Sequence, residues 1–200
     1  MLRKNFYPKI EPLLNRIAVE LNARGFSPNQ LTLAGLALSF LTGCIFATGA
    51  FFLGGLFLLI SSFADMLDGP LARVSNRATP FGAFLDSTLD RYSDFFIFGG
   101  LALCFARQDQ GTWLLVSLGI LAGAFVTSYA KARAESLIPS CPVGLFERPE
   151  RILALALGAI VWPLLPLTLW VLLIGTNWTA IERIFYTQKA LLPHSSSDSE

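Results

Sequence analysis

The sequence is poor in charged residues and in the side chains that build cysteine-based metal sites or disulfide frameworks. Of its 200 residues, 14% are charged, one is histidine and three are cysteine. The cysteines have no metal-ligand spacing, so we expect neither a metal site built on thiolates nor a disulfide framework. The 15 Lys and Arg residues nearly balance the 14 Asp and Glu residues, and no basic tract occurs. Composition therefore gives no support to nucleic acid as a partner.

Apolar residues dominate the rest of the sequence. Hydrophobic residues make up 54% of the chain, and the mean hydropathy is +0.57, which indicates a membrane protein with membrane lipids as its surroundings. Pro163 and Pro166 interrupt the fifth apolar segment, so we extend that segment back to Glu147. We predict an all-α polytopic membrane protein with six transmembrane helices, at residues 31–52, 53–75, 82–106, 112–135, 151–164 and 166–187.

The positive charges orient these spans. If the N-terminus is cytoplasmic and the chain crosses six times, every Lys and Arg residue except Arg107 lies on or near the cytoplasmic side. Shifting the topology by one span breaks this partition. We therefore predict a multi-pass protein of the cell membrane with both termini in the cytoplasm. A five-span model is the alternative, and it places the termini on opposite sides.

The chain divides into three regions. In residues 1–26, apolar side chains recur three and four positions apart and are flanked by Lys and Arg, which predicts an amphipathic helix in the cytoplasmic interface. An ordinary surface helix is the alternative. Residues 27–190 form the transmembrane domain, with Ser27 as the cap of its first helix and Pro28 at the first helical position. Residues 191–200 are a Ser-rich tail that we predict to be disordered.

Four carboxylates lie inside otherwise apolar segments near the middle of the chain. On a helix, Asp65 and Asp68 lie about 60° apart, and Asp86 and Asp90 about 40° apart, so each pair shares a face. Residues 75–80 separate the pairs and contain breakers that can reverse the chain. At about 1.5 Å per residue, the resulting hairpin brings both pairs to a similar depth. The sequence therefore predicts a cluster of four carboxylates.

Isolated carboxylates at this depth are very costly, so the cluster needs cations. Ligands that are all oxygen atoms suit a hard divalent ion such as Mg²⁺ or Mn²⁺. The alternatives are charges that line a water-filled pore, a structural ion network, or the binding site of a divalent-cation transporter. Pro70 follows the second carboxylate closely and favours a bend of its helix beside the cluster.

The spacing of these carboxylates resembles the signature of the CDP-alcohol phosphatidyltransferase family at every defined position. The matching residues are Asp65-x-x-Asp68-Gly69-x-x-Ala72-Arg73, then eight residues, then Gly82-x-x-x-Asp86-x-x-x-Asp90. The resemblance implies an enzyme that uses a CDP-linked lipid donor, usually CDP-diacylglycerol, and releases CMP. It also implies a homodimer, and it makes residues 27–190 a catalytic domain with its active site on the cytoplasmic side.

The resemblance also implies roles for individual residues. Two divalent ions, Mg²⁺ with Mn²⁺ as the alternative, are expected on the quartet, with Asp65 and Asp86 bridging both, Asp68 on one and Asp90 on the other. Asp90 is the expected general base because it is the last carboxylate of the motif and lies at the deep end of the cluster. Asp94, one turn further, lies outside the signature; it either orients Arg91 or a metal ligand, or faces cytosolic helices.

The donor pocket is also expected from the resemblance. Gly69 would let the cytidine approach the backbone closely, and Arg73 would contact a donor phosphate. The remaining residues expected to bind the donor are Asn29, Gln30, Leu31, Thr32, Thr79 and Gly82.

A second group of charges lies at the cytoplasmic ends of the last three predicted spans. Lys131, Arg151 and Arg183 come from three different helices and can receive an anionic acceptor, with Arg giving bidentate contacts to phosphate. The alternative is that they are interface anchors whose long side chains reach the headgroups. For Arg133 and Arg148 we favour such anchoring, or local pairing with Glu residues.

The strings SYAKARAE, from Ser128, and ERPER, from Glu147, resemble the subgroup that makes phosphatidylinositol phosphate or archaetidylinositol phosphate. The resemblance implies that inositol phosphate is the acceptor. Glycerol 3-phosphate, serine or another alcohol is the alternative within the same enzyme class. The residues expected to hold the acceptor are Ser128, Lys131, Arg151 and Arg183.

Overall fold

The structure is a computed structural model that describes residues 7–192, and within that range the regular structure is entirely helical. A short 3-10 helix, Trp162–Leu164, separates the last two α-helices at the prolines that the sequence marks as an interruption. The α-helices are α1 (Tyr7–Ala23), α2 (Pro28–Ala47), α3 (Phe51–Asp65), α4 (Asp68–Val74), α5 (Pro80–Arg107), α6 (Gly111–Glu135), α7 (Arg148–Ile160) and α8 (Leu165–Leu191).

Among the described residues, four segments are long and apolar enough to cross a membrane: Pro28–Ala47, Phe51–Val74, Gly111–Glu135 and Trp162–Leu191. The other two predicted spans are helices as well, but they differ from these four. The long helix α5 carries several charged side chains near its middle, and α7 has only 13 residues, about 20 Å. The finding is therefore a helical protein with four candidate spans, and the count of six stays a prediction.

Helix α2 begins as the sequence predicts. Ser27 is the cap: its Oγ accepts a hydrogen bond from the Gln30 backbone N–H at 3.4 Å, while Gln30 Oε1 accepts one from the Ser27 N–H at 2.9 Å. Pro28 occupies the first turn, where the missing N–H costs nothing. This reciprocal pair fixes the entry of the chain into the first candidate span.

The helix that carries the first two carboxylates is broken, as the proline predicts. Helix α3 ends at Asp65, and α4 begins at Asp68. Pro70 has no N–H to donate to the carbonyl of Met66, four residues earlier, so the break falls between the two carboxylates. Asp65 and Asp68 therefore lie on either side of the break, and their carboxylates still converge, as their spacing predicts.

The two carboxylate-bearing parts of the chain do not pack as a simple hairpin. Within residues 7–192, α3 and α5 have little contact with each other, and both pack extensively on α2, which lies between them. The closest approach is at Gly43 and Gly100: a Cβ on Gly43 would collide with the Phe96 carbonyl, and one on Gly100 with the backbone of Gly43. Small residues at such a crossing allow two membrane helices to meet at the backbone.

The remaining helices complete one core. Helix α6 packs on α5 and α8, and α7 packs on α3 and α8. Fully buried Phe46, Leu58, Leu101 and Leu155 belong to the apolar cluster that joins them. The described part of the predicted N-terminal helix is α1, which packs on α4; residues 1–6 lie outside the described range, and its place in the membrane interface stays a prediction.

At the other end of the chain, α8 runs to Leu191, the first residue of the predicted disordered tail. Residues 193–200 of that tail lie outside the described residues. The three cysteines, Cys44, Cys104 and Cys141, are free thiols.

Candidate active site

Three carboxylates from three helices meet at one place. Asp65 at the end of α3, Asp68 at the start of α4 and Asp86 in α5 each offer an oxygen atom within 4.8 Å of the others, and all three are partly buried. We call these residues the carboxylate cluster. Its donors are all oxygen, its charge is strongly negative and its spacing is compact, so its residues fit a hard divalent ion. The predicted convergence is confirmed for three of the four motif carboxylates.

Two residues of helix α2 contact the carboxylate cluster. The Thr32 hydroxyl donates to Asp68 Oδ2 at 3.0 Å, which orients that carboxylate. A Cβ on Gly35 would lie 3.3 Å from Asp65 Oδ1, so only glycine leaves Asp65 undisturbed. Sequence reasoning missed Gly35; the available signal was its position three residues after Thr32, on the same face of the helix.

The fourth motif carboxylate, Asp90, joins the cluster through an arginine. Arg148 Nη1 lies 2.7 Å from Asp90 Oδ1 and also contacts Asp65 Oδ2. Arg91 Nη2 lies 3.4 Å from Asp90 Oδ2. The expectation that Arg148 anchors the interface or pairs locally with Glu is wrong: it lies among the motif carboxylates, 83 residues away from Asp65 in the chain.

The residues expected at the donor pocket fall into two places beside the cluster. At the first, Thr79 Oγ1 caps α5 by accepting the Gly82 N–H at 3.0 Å, and a Cβ on Gly82 would lie 3.8 Å from Asn29 Oδ1. The starts of α2 and α5 therefore meet there. At the second, on α4, a Cβ on Gly69 would lie 3.7 Å from Arg73 Nη1.

Two other residues expected at the donor pocket, Gln30 and Leu31, lie in the first turn of α2. The side chain of Gln30 closes the cap at Ser27, and Leu31 is partly buried in the first turn of α2. Their contact with a donor stays a prediction.

Two of the expected acceptor residues meet on one carboxylate. Lys131 Nζ lies 2.9 Å from Glu147 Oε1, and Arg183 Nη2 lies 2.8 Å from the same oxygen. We call Lys131, Glu147 and Arg183 the Glu147 group. Arg183 is 2% exposed, whereas about a third of the Lys131 side chain is exposed. Lys131 is thus the more accessible cation of the group.

The loop between α6 and α7 holds Arg183 in place. Arg183 Nε donates to the Val143 carbonyl at 3.0 Å, and Nη1 donates to the Thr127 carbonyl of α6 at 2.8 Å. Gly144 has φ +119°, and a Cβ on it would lie 3.0 Å from Arg183 Nη2. Both the backbone conformation and the close approach require glycine there.

The other two expected acceptor residues do not join the Glu147 group. Arg151 is 1% exposed; its Nη2 lies 2.8 Å from Asp94 Oδ2, and its Nη1 donates to the Phe146 carbonyl at 3.4 Å. Ser128 Oγ donates to the Ala124 carbonyl within α6. Asp94 is fully buried and pairs with arginines of α7, so it does not face cytosolic helices as one alternative held.

Comparison with known proteins assigns this arrangement to a family. The family model described as CDP-alcohol phosphatidyltransferase matches residues 26–181. The chain is 37% identical to the phosphatidylinositol phosphate synthase of Streptomyces avermitilis, over 92% of this chain and 81% of that protein. It is 34% identical to the archaetidylinositol phosphate synthase of Pyrococcus horikoshii, over 92% of this chain and 95% of that protein.

The fold matches a solved structure as well. The crystal structure of Mycobacterium tuberculosis phosphatidylinositol phosphate synthase with CDP-DAG bound superposes with a TM-score of 0.83 at 30% identity, covering 94% of this chain and 99% of that one. The same synthase in complex with manganese and citrate superposes with a TM-score of 0.81 at 31% identity, covering 94% and 93%.

Proposed function

Because the chain belongs to the CDP-alcohol phosphatidyltransferase family, we propose that it transfers the phosphatidyl group of CDP-diacylglycerol to a hydroxyl group of inositol phosphate and releases CMP. It is a membrane enzyme of phospholipid biosynthesis. The relatives named phosphatidylinositol phosphate synthase and archaetidylinositol phosphate synthase support this choice of acceptor.

The structural observation that supports inositol phosphate as the acceptor is the Glu147 group. Two cations from different helices, Lys131 and Arg183, converge on one carboxylate oxygen. Glu147 is directly followed by Arg148, which contacts Asp65 and Asp90. A phosphorylated acceptor held by the two cations would therefore lie beside the carboxylate cluster, whereas a neutral alcohol would leave this positive charge without a role.

The proposed ion site uses the four motif carboxylates, Asp65, Asp68, Asp86 and Asp90. Two Mg²⁺ ions, replaceable by Mn²⁺, would supply positive charge that stabilises the donor pyrophosphate and the departing CMP. The three oxygens of the carboxylate cluster within 4.8 Å of one another support at least one such ion. Gly69, Arg73 and the paired starts of α2 and α5 would hold the rest of the donor.

In the proposed reaction, Asp90 takes the proton from the acceptor hydroxyl group. The hydroxyl oxygen then forms a bond to the lipid-linked phosphorus, and the bond from that phosphorus to the CMP oxygen breaks. In the structure, Arg148 and Arg91 both form ion pairs with the Asp90 carboxylate. Ser128 and Arg151 are proposed to complete the acceptor site, although in the structure Arg151 binds Asp94.

Six spans, a cytoplasmic active site and a homodimer are part of the same proposal. The helices α5 and α7 at the two remaining predicted spans support the span count, and the cytoplasmic placement of every Lys and Arg residue except Arg107 supports the orientation. In a variant without the native cysteines, Arg107→Cys should react with a membrane-impermeant maleimide from outside the cell, and Arg24→Cys should not. Labelling of both or of neither would overturn the topology.

The acceptor is tested by supplying one donor with several alcohols. Purified protein with CDP-diacylglycerol and Mg²⁺ should release CMP with inositol phosphate, and much less with glycerol 3-phosphate, serine or inositol. Preferred use of glycerol 3-phosphate would keep the enzyme class and change the substrate. Transport of divalent cations into liposomes without any CDP-lipid, together with no CMP release, would instead support a transporter.

A further inference from the structure

Arg148 lies where the proposed second ion would find its ligands. Its Nη1 contacts both Asp65 Oδ2 and Asp90 Oδ1, the latter at 2.7 Å, and its side chain is only 19% exposed. One guanidinium therefore bridges a carboxylate of the cluster and the proposed general base. A guanidinium and a divalent ion repel each other, so they cannot both occupy the space between these two carboxylates.

The carboxylate cluster itself is not closed by this contact. Asp65, Asp68 and Asp86 keep three oxygens within 4.8 Å of one another. Of these three residues, Asp65 is the one that forms an ion pair with Arg148. One ion can therefore bind the cluster while Arg148 stays on Asp90, whereas an ion that uses Asp90 needs Arg148 to move.

Asp94 offers Arg148 a second partner. Its Nε lies 3.9 Å from Asp94 Oδ1. Within residues 7–192, neither of these two buried atoms has a hydrogen-bond partner. Asp94 is 0% exposed, and its other oxygen binds Arg151 at 2.8 Å. A small shift of the guanidinium toward Asp94 would satisfy both atoms and release Asp65 and Asp90.

We propose that Arg148 is a resident cation that holds Asp65 and Asp90 before the reaction and moves to Asp94 when the donor brings the second ion. Arg148 thereby neutralises two partly buried carboxylates that would otherwise repel each other. It also makes binding of the second ion depend on the donor. This inference rests on the proposed function, because it assumes a site for two ions.

The test measures metal binding rather than turnover. Mn²⁺ is titrated into the purified full-length protein, and the signal of free Mn²⁺ is followed by electron paramagnetic resonance. Without donor, the wild type should bind one Mn²⁺ per chain tightly, and CDP-diacylglycerol without acceptor should add a second. Arg148→Gln should bind two without donor, with the second affinity raised about 10- to 100-fold, the range seen for residues that support metal ligands.

Arg91→Gln is the matched control. It also removes a positive charge beside Asp90, at 3.4 Å, but among the residues that the structure describes it forms no ion pair with a member of the carboxylate cluster. If simple loss of positive charge explained the effect, Arg91→Gln would act as strongly as Arg148→Gln. Equal effects of the two variants, or two equal Mn²⁺ sites in the wild type without donor, would overturn the proposal.

A second variant covers the case in which Arg148→Gln does not fold. Asp94→Asn weakens the second position of Arg148, so it should keep the first Mn²⁺ and lose the donor-dependent second one. A second ion that binds as in the wild type would contradict the proposal. Failure of the proposed function is separate: a protein that loads Mn²⁺ in two stages but releases no CMP with any acceptor refutes the reaction, not the role of Arg148.

Discussion

The carboxylate cluster and the Glu147 group have opposite charge and are built in different ways. The cluster joins three acidic residues of α3, α4 and α5, and Arg148 is the cation that contacts it. The Glu147 group joins two cations, of α6 and α8, around one acid. Arg148 neutralises the carboxylate cluster, and Glu147 neutralises the two cations of the Glu147 group. These two residues are consecutive at the start of α7.

The difference shows how a membrane enzyme can hold two charged substrates side by side. The excess of acid on one side suits metal ions with a pyrophosphate, and the excess of base on the other suits a phosphorylated alcohol. The start of α7 connects them, so a change there should affect both. Substitutions of single residues should separate the two sites.

The largest loss is expected at the carboxylate cluster. Asp86→Asn should reduce CMP release by more than about 10⁴-fold, beyond the usual cost of losing a general base, because metal and donor binding fail together. The measurement is CMP release at saturating Mg²⁺. Asp109→Asn, an exposed acid in the α5–α6 loop, is the control and should be unchanged. Substantial turnover by Asp86→Asn would remove Asp86 from the ion site.

Asp90→Asn should separate proton transfer from ion binding. Turnover is expected to fall about 10²- to 10⁴-fold, the usual cost of losing a general base. Donor affinity, measured with CDP-diacylglycerol in the absence of acceptor, should survive better than in Asp65→Asn, because Asp90 lies outside the compact group of three. If both variants lose donor affinity equally, Asp90 is chiefly an ion ligand and the base is another group.

Substitutions of the proposed acceptor residues should raise the KM for the acceptor. Lys131→Gln and Arg151→Ala should each raise the KM for inositol phosphate by about 10- to 150-fold, from about 1.5–3 kcal/mol per charge-assisted hydrogen bond. The donor KM should change little. Lys189→Gln, an exposed lysine in the last turn of α8, is the control.

Of these two variants, Arg151→Ala better distinguishes acceptor binding from a structural role, because Arg151 is buried against Asp94. Suppose that Arg151→Ala lowers kcat and thermal stability but leaves the acceptor KM unchanged. Arg151 would then only position Asp94, and the acceptor site would consist of Lys131 and Arg183. An unchanged acceptor KM in Lys131→Gln would remove the Glu147 group from acceptor binding altogether.

The smallest effect is expected at Gly35 of α2, which faces the carboxylate cluster. Gly35→Ala places a Cβ 3.3 Å from Asp65 Oδ1, which should shift that carboxylate by a few tenths of an ångström. Turnover should fall by less than about 10²-fold, the cost of a 1 Å misplacement. Gly99→Ala is the matched control, since a Cβ there meets nothing within 4 Å. Equal activity of the two variants would show that Asp65 tolerates the contact.

Much of the site can be predicted from short-range spacing. Residues three or four positions apart in a helix share a face, so the sequence alone is enough to group the motif carboxylates. Apolar composition and proline positions place the helices within a few residues, including the break beside Pro70. Of the three cations that the sequence groups, Lys131 and Arg183 meet on Glu147, whereas Arg151 binds Asp94 instead.

Contacts between distant parts of the chain cannot be obtained in this way. Nothing in the string ERPER indicates that Arg148 reaches Asp65 while Arg151 reaches Asp94. The position of α2 between α3 and α5, which brings Gly35 to Asp65, is also invisible in the local pattern.

The sequence by itself therefore determined the helical membrane fold, the family and the residue types of the site. The tertiary structure decided which carboxylate each arginine binds, because helix periodicity sets which side chains share a face but not which helices pack together. That choice depends on close packing across crossings such as Gly43 with Gly100. It also depends on the need of every buried charge for a partner, which Arg148 and Arg151 meet on different acids 83 and 57 residues away.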